Sequence, residues 1–352
     1  MHIDNLIIGQ GICGTFLCHE LQKTGQSFLV MDEPKPFTAS KVASGIINPV
    51  TGRRLVKTWM IDELLPFLLK SYTEFGLELG IECIAQKDVI DFFPSPQMRL
   101  AFLHRLEEDG QYLSLQKEAT DWQKYLKYDF DYGIILPCYL IDVVKLIQSF
   151  RKKLLNKGLL QEEFFDSAYL SVQDQSINYK NIQANKIIFC DGATGAENMY
   201  FKNLPFAPNK GEALIVETKD LLRTHILKKG LSLVPWKDDL FWAGSSYEWQ
   251  FDHDQPTDQF KQKTMEQLHA FLKTPFTVVD HVAAVRPATL ERRPFVGFHP
   301  LHRSIGIFNG MGTKGCSLAP YFAAQLAQHI ALGTPLSADV DVKRFQRVLS
   351  RT

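Results

Sequence analysis

Six residues near the start, Gly9-Gln10-Gly11-Ile12-Cys13-Gly14, read G-x-G-x-x-G and follow the mostly apolar run Ile3 to Ile8. The same spacing returns near the other end, in Gly310-Met311-Gly312-Thr313-Lys314-Gly315, after Ile305 to Phe308. In that context glycine permits a tight turn, lets backbone approach a ligand, and brings a helix against a strand. After Gly14 the apolar positions Cys13, Phe16, Leu17 and Leu21 keep helical spacing, and Gly25 is placed to end that helix. A second apolar run, Phe28 to Met31, leads to Asp32, 18 positions beyond Gly14. This is the layout of a βαβ unit that binds a dinucleotide, with the acid expected about 20 residues on to accept hydrogen bonds from the adenosine ribose. The spacing leaves NAD and FAD both open. Each glycine turn aims a helix N-terminus at something anionic.

The 352 residues suffice for two domains or one interleaved pair. With 39 basic and 39 acidic residues, no broad electrostatic footprint for nucleic acid is present. No apolar stretch reaches transmembrane length, and the chain runs straight into a strand without a leader-like segment, so a cytoplasmic protein without membrane contact is expected. The six cysteines, Cys13, Cys18, Cys83, Cys138, Cys190 and Cys316, are scattered without C-x-x-C pairs, as buried thiols of a reducing compartment would be. Asp252-His253-Asp254 and the pair His299 and His302 lack the three or four convergent positions of a metal site, so none is expected. No G-x-S-x-G elbow supports a serine hydrolase.

Strand-like and helix-like segments alternate throughout, which favours an α/β or α+β fold. Helices are expected over Met60 to Glu78, Ile141 to Leu155, Gln259 to Leu272 and from the second glycine turn through Ile330. Strands are expected over Asp88 to Phe93, Lys186 to Cys190, Ala213 to Val216, Leu231 to Pro235 and Leu240 to Gly244. The βαβ pieces sit at both ends and in the middle, and the intervening strand-rich blocks do not fit a doubly wound sheet. The expectation is a nucleotide domain built from 1–83, 138–205 and 285–352, with a substrate domain from 84–137 and 206–284 inserted into it.

Several motifs follow one another in order: the opening glycines with Asp32, Ala39 to Gly45 (A-S-x-x-x-S-G), Phe189-Cys190-Asp191-Gly192-Ala193, Arg286-Pro287-Ala288-Thr289, and Gly312 to Pro320. Together they resemble the FAD-dependent D-amino-acid oxidase family, which includes glycine and sarcosine oxidases, over essentially the whole chain. Gly244-Ser245-Ser246-Tyr247 and Met311 to Pro320 also resemble the oxidase domain of a bifunctional enzyme that modifies the tRNA wobble uridine. The resemblance implies a Rossmann-type FAD-binding domain with an inserted antiparallel-sheet substrate domain, and non-covalent FAD. It implies oxidation of the C–N bond of a small amino acid or N-substituted glycine, by hydride transfer to flavin N5. Oxygen or another electron acceptor would complete the cycle. Two alternatives remain open: a tRNA carboxymethylaminomethyl-uridine oxidase, and a flavin-binding module without turnover.

On this resemblance the cofactor would be held by Gly9, Gly11, Ile12, Cys13, Gly14, Asp32 and Glu33, and covered by Ser40, Lys41, Ala43, Ser44, Gly45, Ile46 and Asn48. Asp191, Gly192 and Ala193 would approach it from a third strand, and Arg286, Gly310, Met311, Gly312, Thr313, Lys314 and Gly315 from the second glycine turn. The helix after that turn would stabilise negative charge at the flavin's N1–C2=O edge, with Pro320 read as lying in its first turn, where a missing N–H costs little. Arg286 would clamp the substrate carboxylate with two parallel hydrogen bonds, unless it pairs with an internal acid such as Glu291. Tyr247 and Lys314 complete the candidate catalytic set, while Arg53 and Arg54 read as an exposed loop pair.

Overall fold

The computed structural model describes residues 1–117, 119–173 and 175–351. The strands His2–Ile8, Phe28–Met31 and Ile182–Phe189 lie side by side and parallel, with Ile8 level with both Met31 and Phe189. Leu160–Gln161 extends this sheet on one side, and Ile305–Asn309 joins it in parallel beyond Phe189. Both faces of the central strands are covered, which is why they read as apolar runs rather than alternating ones. Helices Ile12–Lys23 and Gly315–Leu332 pack against each other on one face, with Phe16, Leu17, Leu318 and Phe322 in a shared core. All these parallel strands end at one edge, and a Rossmann-type sheet binds its ligand at that edge.

A second sheet runs in the order Thr277–Arg286, Asn209–Glu217, Leu240–Gly244, Leu231–Pro235, Ile226–Lys229, Val89–Phe92, Tyr132–Ile135, Leu113–Ser114. It is antiparallel except where Ile226–Lys229 runs parallel to Val89–Phe92. The parallel pair is the seam between two separate stretches of chain; strands that no hairpin joins are free to meet in either direction. Helix Asp258–Phe271 packs Leu268 and Phe271 against Leu214 and Phe241 on one side of this sheet. Its other side faces the first sheet. There the Trp242 indole donates to Val42 O at 3.0 Å, a buried bond joining the second sheet to the segment that follows the first βαβ unit.

Pro320 departs from its expected place. The helix begins at Gly315, so Pro320 is its sixth residue and a missing N–H there leaves the carbonyl four residues back without an intrahelical partner. That carbonyl belongs to Cys316, and it accepts instead from the buried Tyr72 hydroxyl at 2.9 Å. Tyr72 lies on helix Ile61–Leu79, so one hydrogen bond both repairs the proline helix and fixes its N-terminal turn against a neighbour. Tyr72→Phe should lower stability by about 1–3 kcal/mol, the cost of an unsatisfied buried acceptor, in denaturant unfolding of the purified protein. A loss within 0.3 kcal/mol would mean that water reaches the Cys316 carbonyl.

Candidate active site

The carboxyl ends of the parallel strands and one side of the second sheet enclose a cavity of about 1060 Å³. Every residue expected at the cofactor or the substrate lines it except Gly14 and Gly310. Those two act beneath the wall. A Cβ on Gly14 would overlap Gly9 O, and one on Gly310 (φ +80°) would lie 2.8 Å from Thr289 Cγ2. Gly9 itself has φ +99° and leaves 2.5 Å between a Cβ and Cys190 O, so only glycine joins the first turn to the third strand.

Two helices that start at the cavity lack the side-chain caps that several others have. Pro96–Asp109, Val143–Asn156 and Asp258–Phe271 begin on Ser95, Asp142 and Thr257, whose side chains accept first-turn N–H groups. Ile12–Lys23 and Gly315–Leu332 begin at the cavity on Gly11 and Lys314, without a side-chain cap and without an acid in the first turn. Ser40 Oγ accepts from Ile12 N at 3.0 Å, which seats the covering segment on the first turn. Two positive helix ends thus open on the same space, and an anion there would receive their free donors.

Asp32 ends the second strand as expected, but with partners that its spacing did not suggest. Its Oδ1 accepts from Gln10 N at 2.8 Å, and its Oδ2 pairs with Arg151 Nη1 at 2.6 Å. Arg151 also reaches Gln10 Oε1 at 3.0 Å and Glu162 at 2.8 Å. In the sequence Arg151 lies in a basic run, Arg151-Lys152-Lys153, that reads as a solvated helix face. Nothing local ties it to Asp32, 119 residues earlier.

Asp191 follows the third strand, where Asn309 Nδ2 donates to Oδ1 at 2.8 Å and Asn198 Nδ2 to Oδ2 at 3.2 Å. Burial pushes its pKa up to about 6, partly offset by those two amides.

At the far end of the cavity, Arg286 closes strand Thr277–Arg286. Its Nη1 donates to Asn209 Oδ1 at 2.7 Å and to Ser246 O at 3.1 Å, and its guanidinium lies 4.7 Å from the centre of the Tyr247 ring. Among the described residues no carboxylate pairs with it; Glu291 pairs with Arg344 instead, at 3.2 Å. Gly211 makes this position possible, because a Cβ there would overlap the guanidinium. Burial lowers the Arg286 pKa, yet a guanidinium stays charged. Tyr247 is 60% exposed and stands at the mouth. Lys314 lines the wall half-buried, its pKa lowered by burial and then by the charges of Arg293 and Arg292.

The other cavity-lining residues on the Arg286 side of the sheet include Gly211, Val282, Ala284, Trp242, Gly244 and Ser232, with no acid among them. Glu212 and His281 touch the cavity border but alternate onto the opposite side. There they meet each other at 2.9 Å, Lys210 at 3.3 Å and the Thr257 cap. Arg53 and Arg54 lie exposed on the turn between Val50–Thr51 and Val56–Lys57, away from the cavity wall. Among the described residues no three His, Cys, Asp or Glu side chains converge as a metal site; His299 Nδ1 accepts from Leu301 N and His302 N. The described helices include none long and apolar enough to cross a membrane. Cys316 lines the cavity with its thiol pushed up to about 12 by burial, so it is neutral near pH 7.

Gly211→Ala should displace the guanidinium while the protein still folds, seen in a structure of the variant as loss of the Arg286 hydrogen bonds to Asn209 and Ser246. Asp191 makes a prediction about pH. Its folded pKa lies above the ordinary 3.8, so the protonated form is favoured by folding. That stabilisation is complete below pH 3.8 and lost as pH rises through about 6. Thermal midpoints of the wild type should therefore decline over this window relative to Asp191→Asn. Parallel pH curves for the two proteins would clear Asp191 of this role.

The chain matches the family model described as "DAO: FAD dependent oxidoreductase" over residues 4–329. It is 22% identical to the glycine oxidase of Pseudomonas aeruginosa, across 94% of this chain and 95% of that one. Among solved structures, glycine oxidase from Bacillus cereus superposes with a TM-score of 0.80 at 15% identity, covering 95% and 96% of the two chains. Iminodiacetate oxidase from Chelativorans sp. superposes with a TM-score of 0.75 at 18% identity, covering 98% of each. At such identities the superpositions speak for the fold. The family match spans nearly the whole length, and so the chain belongs to the DAO family of FAD-dependent oxidoreductases.

Proposed function

We propose that this enzyme oxidises the C–N bond of a small amino acid or N-substituted glycine, with FAD held non-covalently in the cavity. The observation that carries the reading is Arg286: a half-buried guanidinium in the cavity wall, over a glycine that keeps room for it, with no acid partner among the described residues. A buried cation left in that condition is costly unless a ligand supplies the opposite charge, and a carboxylate matches its fork. The relatives named as glycine oxidases fit this reading.

The residues present suit FAD. Two uncapped helix N-termini open on the cavity, and at Gly11 a Cβ would crowd Ser40 Oγ at 3.1 Å, so the backbone is left bare where an anion would approach. When bound, FAD supplies the two-electron acceptor that no side chain provides. Arg286 would fix the substrate's carboxylate and with it the orientation of the α-carbon. Among the described strand residues that line the cavity on the Arg286 side of the sheet there is no carboxylate or imidazole to take an ammonium proton, so the amine would enter neutral. Tyr247 would cover the mouth and the apolar Trp242 and Val282 would keep water from the site.

Anaerobic bleaching of the flavin absorbance tests this directly, with glycine, sarcosine, proline, D- and L-amino acids, and carboxymethylaminomethyl uridine as the panel. One or more small amines should bleach it. A flavin that none of them reduces would sink the proposal. Arg286→Ala should lose about 2–5 kcal/mol of substrate capture, the range for removing one member of a buried charge pair, read as kcat/KM on the compound that bleaches the wild type. Unaltered kinetics would take Arg286 out of the site.

A further inference from the structure

Arg286 is oriented by groups that carry no charge. Its Nη1 donates to Asn209 Oδ1 at 2.7 Å and to Ser246 O at 3.1 Å, which uses both hydrogens of that nitrogen. Nη2 lies over Gly211, and neither it nor Nε donates to another group among the described residues. The third neighbour is the face of the Tyr247 ring, whose centre is 4.7 Å away. An amide oxygen, a peptide oxygen and an aromatic face hold a guanidinium in place, and none of them cancels its charge.

The strand that carries Asn209 treats its other buried cation differently. Asn209–Glu217 runs antiparallel to Thr277–Arg286, with Asn209 level with Arg286. One residue further on, Lys210 is 1% exposed and turns to the opposite side, where Glu212 meets it at 3.3 Å. That cation is paired with a carboxylate, as a buried charge ordinarily is. Arg286 faces an amide instead, on a side chain as deeply buried as Lys210. The amide is costly at this place, because its Nδ2 has no hydrogen-bond partner among the described residues. An aspartate of the same shape would pair with the guanidinium and leave no donor unmet. What asparagine adds is the absence of charge.

We propose that Asn209 is a positioning residue for the substrate: its neutral oxygen orients the Arg286 fork and leaves the full positive charge to the substrate's carboxylate. Asn209 acts from behind the wall, since Arg286 lines the cavity and Asn209 does not. This assignment rests on the amine-oxidising reading above.

The test compares Asn209→Asp and Asn209→Leu with the wild type, all loaded with FAD. Asn209→Asp keeps an acceptor in place and adds a competing charge; Asn209→Leu removes the acceptor and the unmet donor together. Acetate, a carboxylate with no amine to oxidise, is titrated in and followed by the perturbation of the flavin absorbance. Asn209→Asp should weaken acetate binding about tenfold or more and raise KM by a similar factor, with kcat within about threefold. Asn209→Leu should raise KM by a smaller factor, because the charge remains and only its orientation is loosened. The affinity of both variants for FAD, read from fluorescence quenching on reconstitution, should match the wild type. A merely structural role predicts the opposite order, with Asn209→Asp binding acetate as the wild type does, and that result overturns the proposal. An unchanged KM in Asn209→Leu overturns it equally, should Asn209→Asp fail to fold. Loss of FAD affinity in place of acetate affinity would give the guanidinium to the cofactor and also overturn it. If no amine bleaches the wild-type flavin, it is the amine-oxidising reading that fails, and this proposal with it.

Discussion

The rest of the structure depends on the contact between Gly9, Gly14 and Cys190. A side chain at Gly14 would overlap Gly9 O, and one at Gly9 would crowd Cys190 O. Backbone is thereby allowed to touch backbone, and the N-terminus of helix Ile12–Lys23 is fixed at the ends of two parallel strands. Every later element of the cavity takes its position from there. Ser40 sits on Ile12 N, Val42 receives the Trp242 indole, and through that bond the second sheet is held over the first. Three short contacts lead from a glycine turn to the wall that carries Arg286.

The cavity wall carries ionisable side chains at both ends. Near the first glycine turn its wall carries Asp32, Glu33, Glu163, Asp166 and Asp191, with Arg151 neutralising Asp32 from behind. At the other end it carries Arg286 and Lys314, neither of which forms an ion pair among the described residues. Between these two regions, uncapped helix ends present N–H groups with no charge of their own. The same arrangement explains why Asp191 is hard to ionise while Arg286 stays charged: the carboxylate is buried among amides, and a guanidinium keeps its proton even when desolvated.

Much of this was legible in the sequence because it is written in local spacing. The G-x-G-x-x-G turns, the apolar strands on either side and the helix that follows each depend on residues within a few positions of one another. Helix Pro96–Asp109 shows the limit of that reading. It carries Ser95 as cap and Pro96 at its first position, yet buries only Phe102, so no apolar stripe announces it. Strand Thr277–Arg286 was hidden for a related reason: its ends are exposed or half-buried, and its residues alternate between two different environments.

By itself the sequence determined the class of fold, since turn geometry and strand burial are set by neighbours along the chain, and its resemblance to a family pointed to FAD. Only the tertiary structure decided which charges are compensated. Arg151 neutralises Asp32, Arg344 takes the Glu291 that was a candidate partner for Arg286, and Tyr72 satisfies the carbonyl that Pro320 leaves open. It also decided that Gly211 makes room for a guanidinium 75 residues further on, and that Lys314 and Arg286 line one cavity. Coulomb attraction, desolvation and steric overlap act through space, and a linear pattern holds no record of those distances until the chain has folded.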